Sequence, residues 1–476
     1  MATAYNGTTG TADSGYSTKA TNLNVFYDTG HLAFLTVSSV LVLLMIPGVG
    51  FFYSGLARRK SALQLVLLSM LSVAVIGFQW FFWGYSLTFS RTGNAFLGDL
   101  TQFGLMKTIA QPNGSSLLPD ILFCLYQGMF ASITPALAIG AVADRGRILP
   151  ALVFMFIWST VVYDPIAYWT WNANGWLFKL PSYDFAGGGP VHISSGSCAL
   201  AYSLMLGRRT GYSSNGGLPY RPHSVTNVVL GTVFLWVGWF GFNGGSALGM
   251  NLRAVMACYV SNLAASCAGI TWVLLDYRLE GKWSTIGFCS GAIAGLVAIT
   301  PAAGFVTPWA AVIIGVCGAL CCNFATKLKF FLGVDDALDI FAVHGVGGIV
   351  GNLLTGIFGA SYIAGLDGNA YPPIGWVDRH WVQLGYQLAG VCAVFFWSFS
   401  LSCLILFLMN LVPGLSLRVS AEDEVVGIDD CQLGEFAYDY VELTRHVADS
   451  VINLPDRNAS SDGEKHVSSP HTVLSL

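Results

Sequence analysis

Charged side chains are scarce in this chain. They make up 10% of its 476 residues while hydrophobic residues make up 54%, whereas ordinary soluble domains carry about 25% charged residues. That shortage excludes a soluble domain of ordinary size as the body of the protein. A paired cysteine framework is lacking too, because ten of the eleven cysteines lie within or beside apolar runs and read as small buried hydrophobes. The first 31 residues are rich in Thr, Gly and Ser with no apolar core, so they are not a cleaved signal peptide. The net charge of −4 points to no particular partner, since most charges fall in loops and tail, and no nucleic-acid partner is expected.

What is present is a series of apolar runs near or above the ~18 to 20 residues needed to cross a bilayer. Eleven occur, at about 32–57, 63–89, 118–142, 148–172, 188–206, 225–247, 254–276, 285–303, 308–326, 340–360 and 381–411. The expected fold is an all-α polytopic membrane protein of eleven transmembrane helices. Residues 1–31 would be an extracellular segment, 32–411 the core, and 412–476 a cytosolic tail. Lysine and arginine bias sets this orientation: one set of loops holds twelve basic residues and the other side six. Asn6 and Asn113 lie in glycosylation sequons on the expected outer face. From Glu422 to Glu464 the tail has twelve acids against two arginines and reads as partly disordered, with its first part able to dock on the inner face.

Among eight histidines, His192 and His344 fall well inside apolar segments. An ionisable group at the bilayer centre costs roughly 2.5 kcal/mol or more, which makes each a functional-site hypothesis. Both follow a valine and precede a stretch rich in small residues. Spans 1–5 and 6–10 contain equal, odd numbers of helices, the condition for two inverted five-helix repeats, with a long tilted last helix added. In straight helices the two histidines would sit in opposite leaflets. They meet near the midplane only if Asp184–Pro190 and Asp335–Asp339 dip inward as irregular backbone, which is tolerated where it is buried in protein. The alternative is two ordinary loops with peripheral histidines.

Asp184-Phe185-Ala186-Gly187-Gly188-Gly189-Pro190-Val191-His192 resembles the signature of the Amt/Mep/Rh ammonium transporter family. So do Asp339 to Gly345, Gly238 to Ala247, Gly50 to Leu56, and Ile133 to Leu137 with Gly140 and Ala143-Asp144-Arg145. The resemblance covers roughly residues 30–440 and is strongest to the fungal high-affinity permeases of the sensor type. Pro190, where the family commonly has valine, and Leu433, where many members have histidine, are departures. The resemblance implies a homotrimer in the plasma membrane with one pore per subunit, no cofactor, no metal and no enzymatic activity. It assigns Trp171 and Ser246 to an outer recruitment site, Phe130 and Phe242 to a gate below it, His192 and His344 to the pore, and Asp184 to organising the dipping segment.

The residues themselves allow blander readings. Trp171 could equally be an interfacial belt tryptophan, Ser246 could be packing glue, and nothing singles out Phe130 and Phe242 among 31 phenylalanines. Asp184, beside three glycines, is suited to accept several backbone N–H bonds. Asp164 beside Pro165 could be a helix-kink partner or an inter-subunit contact. Two adjacent imidazoles suit a substrate that can shed a proton and continue as neutral ammonia, a step closed to potassium. A passive ammonia channel and a nutrient receptor signalling through the tail are the competing functions. A membrane-embedded metalloenzyme lacks further ligands beside the two histidines. Arg457 three residues before Ser460 fits a basophilic kinase, which makes Ser460 a phosphorylation candidate with a cytosolic kinase as partner.

Overall fold

The computed structural model describes residues 22–212 and 221–437; Asn6, Ser460 and most of the tail lie outside them. Among the described residues the longer helical segments are α1 Thr29–Leu56, α2 Arg59–Phe89, α3 Asp120–Val142, α4 Ile148–Lys179, α5 beginning as a π-helical turn at Gly188–Ile193 and continuing as Ser194–Leu206, α6 Val225–Gly245, α7 Leu252–Glu280, α8 Thr285–Ile299, α9 Pro308–Leu332, α10 Phe341–Phe358 and α11 Gln383–Asn410. Nine of these, among the described residues, are long and apolar enough to cross a membrane. The other two are α8, with 15 residues, and α5, whose regular part is only 13 residues because it opens on Gly-Gly-Pro.

Polar side chains start several helices by satisfying otherwise unpaired N–H groups. Asp28 caps α1, Ser224 caps α6, Asn251 caps α7 and Ser284 caps α8. Small residues then let the helices approach closely. Where α1 crosses α6, a Cβ added at Gly231 would lie 2.4 Å from the Phe52 nitrogen, so only glycine fits. The 90–119 connection contains an element the apolar pattern does not signal: a small antiparallel hairpin of β1 Pro112–Asn113 and β2 Ser115–Pro119, turned at Gly114 with φ 68°. Asn113 ties it to the helices, its amide nitrogen donating to the Tyr85 hydroxyl, the Phe89 carbonyl and Asp120.

Asp164 is fully buried and accepts a 2.6 Å hydrogen bond from Gln79 of α2, directly after a π-helical turn at Ser159–Tyr163. Gln79 is thus one of its partners, at a distortion of α4. At the opposite end of the bundle, residues 414–433 pack on the core. The Arg147 N–H donates to the Leu417 carbonyl and the Val419 N–H to the Arg145 carbonyl, α12 (Ala421–Val426) offers Glu424 to Arg418 at 2.7 Å, and Asp429 accepts from the Leu63 and Gln64 N–H groups at the start of the regular α-helical part of α2.

Candidate functional site

The segments leading to the two histidines are built on one local plan. Eight residues before each histidine stands an aspartate whose carboxylate collects backbone N–H groups: Asp184 accepts from Gly187, Gly188 and Gly189 at 2.8, 2.8 and 2.6 Å, and Asp336 accepts from Phe341 at 2.9 Å. Five residues before each histidine the backbone turns left-handed, at Gly187 (φ 110°) and Asp339 (φ 56°). Each then enters a π-helical turn, Gly188–Ile193 or Phe341–Val346, that carries the histidine. The motif around Asp184 is visible in the sequence. Asp336 is the partner that inspection of the acidic run alone does not single out, although the shared spacing to histidine would have found it.

The two plans interlock. A Cβ at Gly196, four residues after His192, would lie 2.2 Å from the Gly345 nitrogen; one at Gly348, four after His344, would lie 3.2 Å from the His192 Cβ. This close approach brings the buried imidazoles together, with Nδ1 to Nδ1 at 3.2 Å and rings inclined by 21°. A single N–H shared between the Nδ1 atoms leaves one Nε2 a donor and the other an acceptor. His192 Nε2 is buried and meets no hydrogen-bond partner among the described residues. Trp239, absent from the residues read as functional in the sequence, lies nearly parallel to His192 with centroids 5.5 Å apart.

Above His192 stand the two phenylalanines. Phe242 lies 6.0 Å from the His192 ring, and Phe130 stacks on Phe242 at 4.2 Å. Trp171 meets Phe130 edge-on at 6.0 Å and donates from Nε1 to the Asp184 carbonyl at 3.2 Å. Tyr126, also missed in the sequence, ties this wall together by donating to the Phe242 carbonyl at 2.8 Å, with Ser246 Oγ 3.2 Å away. Phe130, Trp171, Asp184 and Ser246 line a cavity of about 470 Å³. On the far side of the rings a second cavity of about 300 Å³ is lined by Trp239, His344, Tyr53, Arg209, Lys329 and Asp335 among others. Phe130, Phe242 and His192, each at most 1% exposed, fill the interval between the two.

Charge gathers at the Arg209 mouth. Arg209 is gripped by Asp335 and Asp144, both at 2.8 Å, and Arg58 reaches Asp144 at 3.3 Å. Burial opposes charge on Asp335, but the Arg209 guanidinium hydrogen-bonded to it prevails and holds its carboxyl below the usual carboxylate range. Burial pushes the Arg145 guanidinium down to about 10, against the pull of Asp335. Asn113, a sequon asparagine, has its amide nitrogen engaged in the three bonds given above.

The model of the Ammonium Transporter Family matches residues 33–438. The chain is 60% identical over 434 residues to Ammonium transporter 1 of Schizosaccharomyces pombe, covering 90% of this chain and 86% of that protein. The crystal structure of Candida albicans Mep2 superposes with a TM-score of 0.82 at 51% identity, covering 88% of this chain and 92% of that one. A Sensor Amt Protein of known structure is similar at a TM-score of 0.78 and 29% identity, covering 85% and 98% of the two chains. These are membrane transport proteins rather than enzymes, and, with a matched model spanning most of its length, the chain belongs to the ammonium transporter family.

Proposed function

We propose that the protein takes ammonium from the Trp171 cavity, strips its proton, and passes ammonia along His192 and His344 while the proton moves separately. The observation that carries this is the 3.2 Å Nδ1–Nδ1 contact directly beneath the Phe130–Phe242 stack. Moving a bare cation through that dry interval would cost several kcal/mol. Trp171 supplies a cation–π face, worth about 0.5–1 kcal/mol when exposed and more when desolvated, and Ser246 an acceptor. Asp184 holds the dipping segment in shape. Potassium, which has no proton to shed, is rejected at the rings.

In this reading the chain crosses the plasma membrane eleven times, as two inverted five-helix halves and a tilted last helix. The N-terminal segment lies outside and the tail in the cytosol, and three copies assemble around separate pores. Support for the inverted halves comes from the paired plans of Asp184–His192 and Asp336–His344. The 28-residue α11 is about 42 Å long at 1.5 Å per residue, more than a ~30 Å hydrocarbon core requires, which supports its tilt. Uptake and current measured in parallel for His192→Ala and His344→Ala, with potassium as competitor, test the mechanism. Potassium leakage with lost ammonium selectivity is expected; unchanged selectivity contradicts it. Absence of any ammonium-evoked current would favour a passive ammonia channel.

Ammonium sensing through the tail is a second reading, supported by the similarity to the Sensor Amt Protein. Deleting residues beyond about Pro455 tests it: intact uptake with a lost downstream response favours sensing. Ser460, with a basophilic kinase as its partner, belongs to this reading, and Ser460→Ala with unchanged phosphate labelling removes it. Of the two sequons, Asn6 is proposed as the glycosylated one, because the Asn113 amide is committed to the hairpin network.

A further inference from the structure

A fixed cation stands in the wall of the Trp171 cavity, and the transport cycle makes no use of it. Arg253, in the first turn of α7, is 7% exposed. Its guanidinium carbon lies 4.8 Å from the Phe305 ring, 4.9 Å from Phe185 and 5.0 Å from Tyr371. Nε donates to the Gly304 carbonyl at 2.8 Å, and Nη1 donates to Asp367 at 3.0 Å and to the Tyr371 hydroxyl oxygen at 2.9 Å. Phe185, Phe305 and Tyr371 line the same cavity as Trp171 and Ser246.

Three rings and a carboxylate closing on one point form the kind of cage that recognises quaternary ammonium groups. The rings come from the dipping segment, the α8–α9 connection and the α10–α11 connection. They are held firmly: Phe185 and Phe305 pack edge-on at 5.7 Å, and a Cβ at Gly304 would strike the Phe185 ring at 2.1 Å. Left empty, such a cage would offer a cation entering the cavity a second aromatic site, off the line from Trp171 to the phenylalanine stack. It is filled by the chain's own side chain.

We infer that Arg253 is a specificity-determining residue, a tethered cation that plugs an aromatic cage beside the recruitment site so that free cations are directed to Trp171. This rests on the reading of Trp171 as the recruitment face. The ligand class for the vacated cage is a methylated or quaternary ammonium ion, which is large enough to touch all three rings. Because Arg253 and Asp367 cancel, removing both opens the cage without changing the net charge of the cavity wall.

The test uses the full chain carrying Arg253→Ala with Asp367→Asn, and tetramethylammonium as the probe. Tetramethylammonium should raise the apparent KM for ammonium uptake at least about threefold more in the double variant than in the unaltered protein, with maximal rate unmoved. It should also raise the melting temperature of the purified double variant alone. Arg253→Lys, which returns a tethered cation, should restore insensitivity. Should the double variant fail to fold, Arg253→Gln carries both measurements. Tetramethylammonium acting no more strongly on the variants than on the unaltered protein overturns the proposal. Loss of ammonium uptake by the unaltered protein would instead overturn the transport reading, while the melting measurement still decides whether the cage binds.

Discussion

Gly196→Ala should uncouple the two histidines without touching either imidazole, since the added Cβ meets only backbone atoms of His344 and Gly345. The added Cβ would stand 2.2 Å from the Gly345 nitrogen, a backbone atom, whereas ordinary contact begins at about 3.4 Å. The α5 and α10 backbones must therefore part by about 1.2 Å at this point, or the helices must deform around it, and overpacking of this kind costs about 1–3 kcal/mol. If half of that separation reaches the imidazoles, the 3.2 Å Nδ1–Nδ1 contact stretches to about 3.8 Å, beyond the range of a hydrogen bond. The expected result is a variant that still reaches the membrane but whose ammonium-evoked current, per molecule at the surface, falls at least about tenfold, the equivalent of 1.4 kcal/mol in a barrier. Gly77→Ala is the control, because a Cβ there meets nothing within 4 Å. A Gly196→Ala protein with the current and KM of the Gly77→Ala control would refute the claim that helix approach sets the histidine geometry.

Other expectations follow from single contacts. Asp184→Asn keeps one acceptor oxygen but turns an NH2 toward the Gly187–Gly189 amides, which should cost about 1–3 kcal/mol; an unchanged melting temperature in detergent would show that the carboxylate does not hold this turn. Asp335→Asn removes the charge that Arg209 grips through Nε and Nη2 and should destabilise by about 3 kcal/mol. Because the folded carboxyl lies below its ordinary value of 3.8, its contribution is present above that pH and lost as pH falls through the lower folded value, so the variant should show a shallower acid limb in a stability–pH profile. Asn113 should be recovered without glycan in peptide mass spectra, and Asn113→Ala should lower the melting temperature because Asp120 and the Tyr85 hydroxyl lose a donor.

The parts of the site that can be read in the sequence are those where chemistry contradicts its surroundings. Histidines in apolar runs, and an aspartate beside three glycines and a proline, stand out because burial without partners is costly. The apolar runs fall on helices, nine of which, among the described residues, are long and apolar enough to cross a membrane, because a helix satisfies its own backbone groups where water is absent. Phe130, Phe242, Trp239 and Tyr126 carry no such contradiction; rings in apolar helices are the norm, and only three-dimensional stacking distinguishes these four. Arg253 reads in the sequence merely as one basic residue of the less basic side, since a cation–π cage joins three loops distant along the chain. The hairpin at 112–119 has no apolar alternation to announce it and is held by side chains from α2 and α3. The π-helical turns that carry both histidines have no periodic signal, although the eight-residue spacing from aspartate to histidine marks where they fall.

The docking of residues 414–433 determines what a truncation experiment can mean. Asp429 supplies acceptors to the Leu63 and Gln64 amides where the regular helix of α2 begins, Gln432 accepts from the Ile148 amide, and Glu424 neutralises Arg418. A chain cut at Pro413 would thus lose helix caps as well as whatever signal the tail carries, and its phenotype would mix instability with altered regulation. A cut placed after Glu435 leaves every one of those contacts in place, so only from that point onward does shortening the chain report on the tail itself.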